Sequence, residues 1–274
     1  MTSTTSGAAT ALRGTPRIFS LDSAKAIKAQ GYGYLNAIHY MAPHTTGGVG
    51  DLCGHSSAGC RGVCLGKYSG QAAIVLDLEE GMNATRASRV LKAQMFMQDR
   101  NAYMNMMAHA IMAVLRKAQR EGLTPCIRPN GSTDVAYERI RFTPDAALRA
   151  TLHPTLRPGG VTLLELFPEV QFVDYTKNPG RMTSPTRPAN LSLTFSRSEE
   201  NEPECVALLE RGHNVAVVFA HGLPVVRQWK GFPVIDGDRH DLRHLDPQGG
   251  YVIGLTPKGN KAKQDMSGFV LRDY

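Results

Sequence analysis

Three cysteines that lie close together in the sequence, Cys53, Cys60 and Cys64, are the residues best suited to chemistry. They lie on a glycine-rich loop (CGHSSAGCRGVC) that can bring three thiolates to one point. Three convergent cysteines can hold three irons of a four-iron (4Fe-4S) cluster and leave the fourth iron open, or complete a zinc site with His55. The wide first gap favours the cluster, because zinc sites usually contain a tight C-x2-4-C pair. The alternative is three unconnected cysteines in a reduced protein.

The remaining two cysteines, Cys126 and Cys205, lie in a predicted strand and a predicted helix. Cysteine in such positions is usually a small core residue, although either could still be the missing ligand. Five cysteines, three of them crowded together, do not form the framework of a secreted disulfide protein. We therefore expect a cytoplasmic protein.

Polar side chains follow three further predicted strands at the points where the strands end, and they are expected to share a pocket with the cysteines. These residues are Arg128, Asn130 and Asp134, then Asp174, Tyr175 and Lys177, then Ser196, Arg197 and Glu199. Arg128, Asn130, Asp134, Ser196 and Arg197 are the predicted cofactor-binding residues. Lys177 and Arg197 are the predicted catalytic residues, because either cation could hold a carboxylate or phosphate. The alternative for Arg197 is a salt bridge with Glu199 or Glu200.

A second notable run, DGDRHDLRHLD, supplies oxygen and imidazole groups that could bind a divalent metal. Its candidate ligands are Asp236, Asp238, His240, Asp241, His244 and Asp246. Because Arg239 and Arg243 are interleaved with them, the favoured interpretation is a loop that neutralises its own charge. His39, within the first predicted strand, is interpreted as a hydrogen-bonded core histidine.

The elements that must position these residues alternate between strand and helix. Strands are predicted over residues 31–43, 124–128, 171–175, 191–195, 214–220, 234–238 and 251–255, and helices over 83–121, 143–152 and 203–211. Such alternation predicts a parallel sheet, and several units in series predict an α/β fold of the βα barrel or partial TIM-like barrel type. Residues 1–15 are predicted to be a disordered tail. Residues 16–274 are predicted to be a single barrel-like domain with a cysteine-rich metal loop over 45–70.

The chain of 274 residues has a formal net charge of +7, which favours anionic partners such as nucleic acid. The basic residues are scattered rather than clustered, so a solvated basic surface is the alternative. No apolar run approaches the ~20 residues that span a bilayer, so no membrane partner is predicted. The sequence leaves the oligomeric state open.

Several runs of the chain, in this order, resemble the phage and plasmid family called gene product 88-like, over about residues 31 to 270. The runs are YLNAIHYMAP, CGHSSAGCRGVCLG, RPNGSTDVAYE, VQFVDYTKNP, LSLTFSRSEEN, NVAVVF, VIDGDRHDLRHLDP and YVIGLTPKG. This resemblance implies a mobile-element context and the cytoplasm of a host cell.

More distantly, three cysteines after the first strand of a βα barrel are similar to the radical S-adenosylmethionine (radical SAM) superfamily. That resemblance implies an open iron that chelates the amino acid end of S-adenosylmethionine. The chain departs from the superfamily's C-x3-C-x2-C spacing, and Val63 stands where the superfamily has an aromatic residue. Residues 128–132 replace its Gly-Gly-Glu run.

The first functional hypothesis is a radical SAM-like iron-sulfur enzyme in which Asn130, Ser196 and Arg197 help to hold a small-molecule cofactor or substrate. The alternative is a nucleic-acid-binding protein without catalysis, in which the metal only fixes the loop. A third hypothesis is a metal-dependent hydrolase built on the Asp236 to Asp246 run.

Overall fold

The strands form a single mixed sheet. A computed structural model describes residues 16–69, 83–155 and 158–274. The strands are β1 (Phe19–Ser20), β2 (Tyr34–His39), β3 (Thr124–Arg128), β4 (Gln171–Thr176), β5 (Leu191–Ser196), β6 (Val215–Val218), β7 (Gln228–Trp229), β8 (Phe232–Asp236) and β9 (Val252–Leu255). They pair in the order β1-β2-β3-β4-β5-β6-β9-β8-β7. All neighbours from β2 to β8 are parallel, whereas β1 and β7 pair antiparallel at the edges.

The helices vary from one turn to six turns in length. They are α1 (Ala24–Gln30), α2 (Ala58–Gly62), α3 (Leu65–Tyr68), α4 (Ala84–Gln98), α5 (Arg100–Glu121), α6 (Ala146–Leu152), α7 (Leu163–Leu166), α8 (Pro179–Met182), α9 (Glu202–Glu210) and α10 (Gly259–Lys263). No helix of the described ranges is long and apolar enough to cross a bilayer.

The sheet does not close, so the predicted barrel is not confirmed. Within the described residues β1 pairs only with β2 and β7 only with β8, and no ladder joins the two edges. The parallel strands β2 to β6 nevertheless follow one another in chain order, as the alternation of strand and helix predicted. Periodicity in a sequence gives the order of strands but not their number or the pairing of the edges, and these two features decide closure.

The two faces of the sheet are covered differently. On one face, Leu35, Ile127 and Phe172 pack with α4 to α7, and Phe195 and Val215 pack with α9, in two hydrophobic clusters. On the other face, a small cluster contains Ala29 of α1, Cys126, Val173 and Leu242. This second face therefore lies beneath α1 and the 237–246 segment, and it leads towards the candidate site.

The predicted helix over 83–121 is two helices. Asp99 has an extended backbone (φ −141°, ψ 89°), ends α4, and accepts the N–H of Ala102 at 2.9 Å as the N-cap of α5. Such a cap satisfies an N–H that the first turn of a helix leaves free. Gly122 ends α5 at φ +65°, as a left-handed C-cap does. The predicted disordered tail, 1–15, lies outside the described residues.

Candidate metal and ligand site

A cavity of about 200 Å³ lies at the carboxyl ends of the parallel strands. Its wall takes residues from the ends of six strands or from the loops after them, among them Pro43, Ser132, Lys177, Ser196, Val218 and Thr256. Parallel strands present their carboxyl ends at one edge of a sheet, so the loops that follow them converge. The cavity is therefore where the sequence predicted a shared pocket.

All three predicted metal ligands, Cys53, Cys60 and Cys64, line this cavity and are partly exposed. Cys60 lies in α2, whose N-cap Ser57 accepts the N–H of Cys60 at 3.2 Å. Cys64 immediately precedes α3, and its carbonyl accepts the N–H groups of Lys67 and Tyr68. The cysteine loop thus contains two short helices, which the density of glycine and serine in the sequence concealed.

Cys53 lies in the loop before α2, and both its backbone and its sulfur form hydrogen bonds. Its N–H donates to Asp51 Oδ1 at 2.7 Å, and its Sγ accepts the N–H of His44 at 3.3 Å. Its Sγ also lies 3.7 Å from the carbonyl of Ser132, in the loop after β3.

Glu199 fastens the cysteine helix to the loop after β5. Its two carboxylate oxygens accept the hydroxyl of Ser57 at 2.8 Å and the N–H of Gly59 at 2.6 Å. A Cβ at Gly59 would stand 2.2 Å from Ser267 Oγ and 2.7 Å from Glu199 Oε1, so a larger residue would displace these two side chains. The position of Cys60 therefore depends on a residue far away in the sequence.

The thiols are close enough to influence one another. Burial, with smaller contributions from the charges of Cys64, Asp134 and Cys60, raises the pKa of Cys53 to about 12, against the N–H bond from His44. Burial and the neighbouring Cys60 raise the pKa of Cys64. Without a metal, these two cysteines are therefore protonated at neutral pH.

A single-ion site is not formed at the cysteines. Across the described parts of the chain, no three His, Cys, Asp or Glu side chains converge closely enough to hold one metal ion. His55, the predicted fourth zinc ligand, is exposed and lies outside the cavity lining.

Lys177 and Ser196, both predicted site residues, meet in the cavity wall. Lys177 Nζ donates to Ser196 Oγ at 2.9 Å and lies 5.4 Å from the centre of the Phe269 ring. Lys177 also lowers the pKa of Cys64, although burial keeps that pKa raised. No carboxylate of the described residues forms a salt bridge with Lys177, so its charge is available to a ligand.

The predicted residues after β3 line the cavity, but their side chains already have partners. Arg128 forms a buried salt bridge with Asp241. Asn130 donates to Asp174 Oδ2 at 2.6 Å and accepts the Thr133 hydroxyl at 2.6 Å. These groups shape the cavity wall.

Asp134 and Asp174 belong to a buried network around Arg181. Arg181 forms salt bridges with Asp134 at 2.8 Å, Glu138 at 2.8 Å and Asp174 at 2.9 Å. Burial raises the pKa of Asp174 to about 6, although Arg181 and Asn130 oppose the rise.

The structure places Arg197 outside the cavity lining. Its guanidinium donates to the carbonyls of Gly268 and Phe269 at 2.6 and 3.1 Å, and it pairs with Glu202 at 3.3 Å. The prediction that Arg197 forms a salt bridge is therefore confirmed, but its partner is Glu202 and not Glu199 or Glu200. Arg197 fastens the C-terminal segment to the sheet.

Lys25 is a cavity residue that the sequence did not reveal, because α1 was not predicted. The signals were present, since Ser23 is the N-cap of α1 and Gly31 its C-cap. Lys25 Nζ donates to Asp241 Oδ1 at 3.0 Å, so its charge is already neutralised.

The carboxylates of the Asp236 to Asp246 run are paired mainly with cations from outside the run. The predicted neutralisation by the run's own arginines is found, among the described residues, only between Arg243 and Asp246 at 3.1 Å. Asp241, buried, pairs with Lys25 and Arg128, while Asp238 pairs with Lys258 at 2.7 Å. The carboxylates Asp238 and Asp241 are held by different lysines and do not form a shared metal site.

The comparisons with known proteins bear on the whole chain. The family model described as Gene product 88 matches residues 17–273. The chain belongs to the gene product 88 family. No curated protein and no solved structure gives a significant match. The resemblance of this gene product 88 family member to the radical SAM superfamily is therefore not supported by any comparison.

Proposed function

We propose that this chain is an iron-sulfur protein in which Cys53, Cys60 and Cys64 hold three irons of a four-iron cluster. The observation that carries the proposal is that these three thiols, separated along the loop, line one cavity at the carboxyl edge of the parallel strands. Cysteine thiolates are the usual ligands of such clusters. When bound, the cluster would supply an open iron and one-electron chemistry beside the ligand cavity.

A cluster fits the cysteines better than a single zinc ion. In a cubane each cysteine binds a different iron, so the sulfurs stand further apart than they do around one ion. A zinc ion would also need a fourth ligand beside the three cysteines, and the exposed position of His55, outside the cavity lining, argues against that residue.

Lys177 and Ser196 would hold the small molecule that shares the cavity. Their ammonium and hydroxyl groups can donate to a carboxylate or a phosphate, and the ammonium has no competing salt bridge in the described chain. S-adenosylmethionine, which carries a carboxylate, is the first ligand to test. A radical SAM-like reaction is the corresponding enzyme hypothesis, and Arg197 has a structural role in it.

The cluster is tested by anaerobic reconstitution followed by iron and sulfide analysis and absorption spectroscopy. Wild-type protein should contain about four irons and four sulfides per chain. Cys53→Ser, Cys60→Ser and Cys64→Ser should each lose most of this iron, whereas the buried Cys205→Ala should retain it. Wild-type protein without iron, or equal iron in all four variants, would overturn the proposal.

The ligand site is tested by measuring S-adenosylmethionine binding to the reconstituted protein. Lys177→Gln should weaken binding by about tenfold, which corresponds to the loss of one charged hydrogen bond, and should leave the iron content unchanged. Lys261→Gln, at an exposed position in α10, is the matched control and should bind normally. If the cluster forms but S-adenosylmethionine does not bind, the enzyme hypothesis fails and the iron-sulfur assignment stands.

A further inference from the structure

A second cavity adjoins the cysteine cavity, with Lys25, Arg128 and Lys258 lining both, and its wall is strongly basic. Its volume is about 860 Å³. Among the described residues, the charged side chains of the wall are the cations Arg17, Lys25, Lys28, Arg89, Lys92, Arg128, Lys258 and Lys263 and the anions Asp22, Asp238 and Asp241. Cations therefore outnumber carboxylates, and the imbalance is at a concave surface.

The three carboxylates that the described residues contribute to this wall each form a salt bridge within it. Asp22 pairs with Arg17, Asp238 pairs with Lys258, and Asp241 pairs with both Lys25 and Arg128. The cations left without a carboxylate among the described residues are Lys28, Arg89, Lys92 and Lys263.

Lys92 is the most informative of these cations because its side chain is buried. The residue is 6% exposed, and within the described ranges its Nζ has one hydrogen bond, a long one of 3.4 Å to the carbonyl of Arg17. Burial, together with the charges of Arg89 and Arg17, lowers the pKa of Lys92 to about 8. A buried ammonium that faces other cations destabilises a protein unless an anion joins it.

Arg89 lies beside Lys92 and is oriented by neutral groups. Its Nη1 donates to the carbonyl of Gly66 at 2.5 Å, and its guanidinium lies over the Tyr40 ring at 4.7 Å from the ring centre. Ser88, which also lines the cavity, can donate a hydroxyl. Two fixed cations with a hydroxyl donor form the donor set that binds phosphate groups.

We propose that this basic cavity is a binding site for a phosphorylated small molecule, with Lys92 and Arg89 as its central phosphate ligands. The burial of Lys92 favours a small ligand, because the backbone of a nucleic acid duplex stays at the protein surface. The proposal does not depend on a metal at the cysteines.

The test measures thermal unfolding and titration calorimetry with inorganic pyrophosphate, orthophosphate and ATP at constant ionic strength. Pyrophosphate or ATP should raise the wild-type melting temperature in a saturable way, since a ligand that binds only the folded state stabilises it. Lys92→Met should bind about tenfold more weakly or not at all. Without ligand, it should melt at or above the wild-type temperature, because a buried unpaired charge is gone. Lys261→Gln should behave as wild type.

Arg89→Gln is a second test variant in case Lys92→Met fails to fold. Pyrophosphate and ATP should raise its melting temperature much less than they raise that of the wild type. The proposal is overturned if phosphates leave the wild-type melting temperature unchanged, or raise it equally in the Lys92 and Arg89 variants. A single-stranded DNA oligonucleotide that binds better than ATP, and equally to wild type and the variants, would show a nucleic-acid surface and would also overturn it.

Discussion

The alternation of side chains along a strand explains which of the predicted site residues line the cavity and which do not. Ser196 and Arg197 both follow the core of β5, and both were expected in the pocket. Successive strand side chains point to opposite faces, so Ser196 faces the cavity while Arg197 faces the C-terminal segment. Tyr175 and Asp174 divide in the same way, towards Asp241 and Arg181. A residue's position at the end of a strand therefore predicted that it lies at the carboxyl edge of the sheet. The alternation of side chains decided which face of the sheet each residue occupies.

His39 shows that a polar residue in a core strand can be assigned correctly from sequence. It is fully buried, its Nε2 lies 2.7 Å from the hydroxyl of Tyr103, and its Nδ1 lies 2.9 Å from the carbonyl of Pro129. The prediction of a hydrogen-bonded core histidine is confirmed. Burial and the charge of Lys92 lower the pKa of His39 to about 3, against the bond to Pro129.

The stability of the protein should therefore depend on the neutral form of His39. His39→Gln is expected to lower the free energy of unfolding by about 1 to 3 kcal/mol at pH 7, because buried hydrogen bonds are lost. Below the ordinary histidine pKa of 6.5, His39 binds a proton in the unfolded state but not in the folded state. The free energy of unfolding of the wild type therefore declines as pH falls from 6.5 towards 3. The difference between wild type and variant should narrow in that window. Urea unfolding between pH 7 and pH 4.5 measures it, and a constant difference would contradict the assigned pKa.

At the scale of elements, the long apolar patterns were predictable and the short ones were not. The run 214–220 became β6 because its residues are buried on both faces. The helical period of 83–121 is real, but Asp99 divides it, because a side chain that caps a backbone N–H competes with continuation of the helix. α2 and α3 are too short for periodicity, and they depend on tertiary contacts such as those of Glu199.

Glu199 should accordingly control the order of the cysteine loop. Glu199→Ala removes both acceptors of the Ser57 hydroxyl and the Gly59 N–H, and we expect faster amide hydrogen exchange at Gly59 and Cys60 with reduced iron uptake. The loss of a charged hydrogen bond of this kind is worth about 1.5 to 3 kcal/mol locally.

Glu200→Ala, at the adjacent exposed position, is the control for this experiment and should match wild type in amide exchange and in iron content after reconstitution. Glu199→Gln, which keeps an acceptor oxygen, should give an intermediate exchange rate. Unchanged exchange at Gly59 in Glu199→Ala would show that the helix stands without this anchor.

At the scale of the molecule, the two helix-covered hydrophobic clusters share one face of the sheet. Leu193 of β5 packs against both clusters, so the strands and this side chain connect them. The sequence could not show this connection, because the residues that meet across β5 come from distant segments. Parallel order was predictable from the alternation of elements, whereas the open edges depended on strands only two residues long.

One sheet with linked clusters should unfold as a unit. Trp229, the only tryptophan of the chain, lies in the cluster with α9, while much of the helix belongs to α4 and α5 in the other cluster. Thermal curves from tryptophan fluorescence and from far-ultraviolet circular dichroism should therefore have the same midpoint. Separate midpoints would indicate two independently stable halves, and Leu193→Ala should then leave the curves unchanged rather than lower both.

The two antiparallel edge strands of the sheet, β1 and β7, affect how readily copies of the chain associate. β1 and β7 each contribute two residues, so each edge strand itself offers a strand from another molecule only a short row of amide and carbonyl groups to extend. Copies of this chain should therefore have little tendency to join edge to edge into a continuous ribbon. The valine- and isoleucine-rich strands of the interior therefore lie behind edge strands that offer a poor template for aggregation.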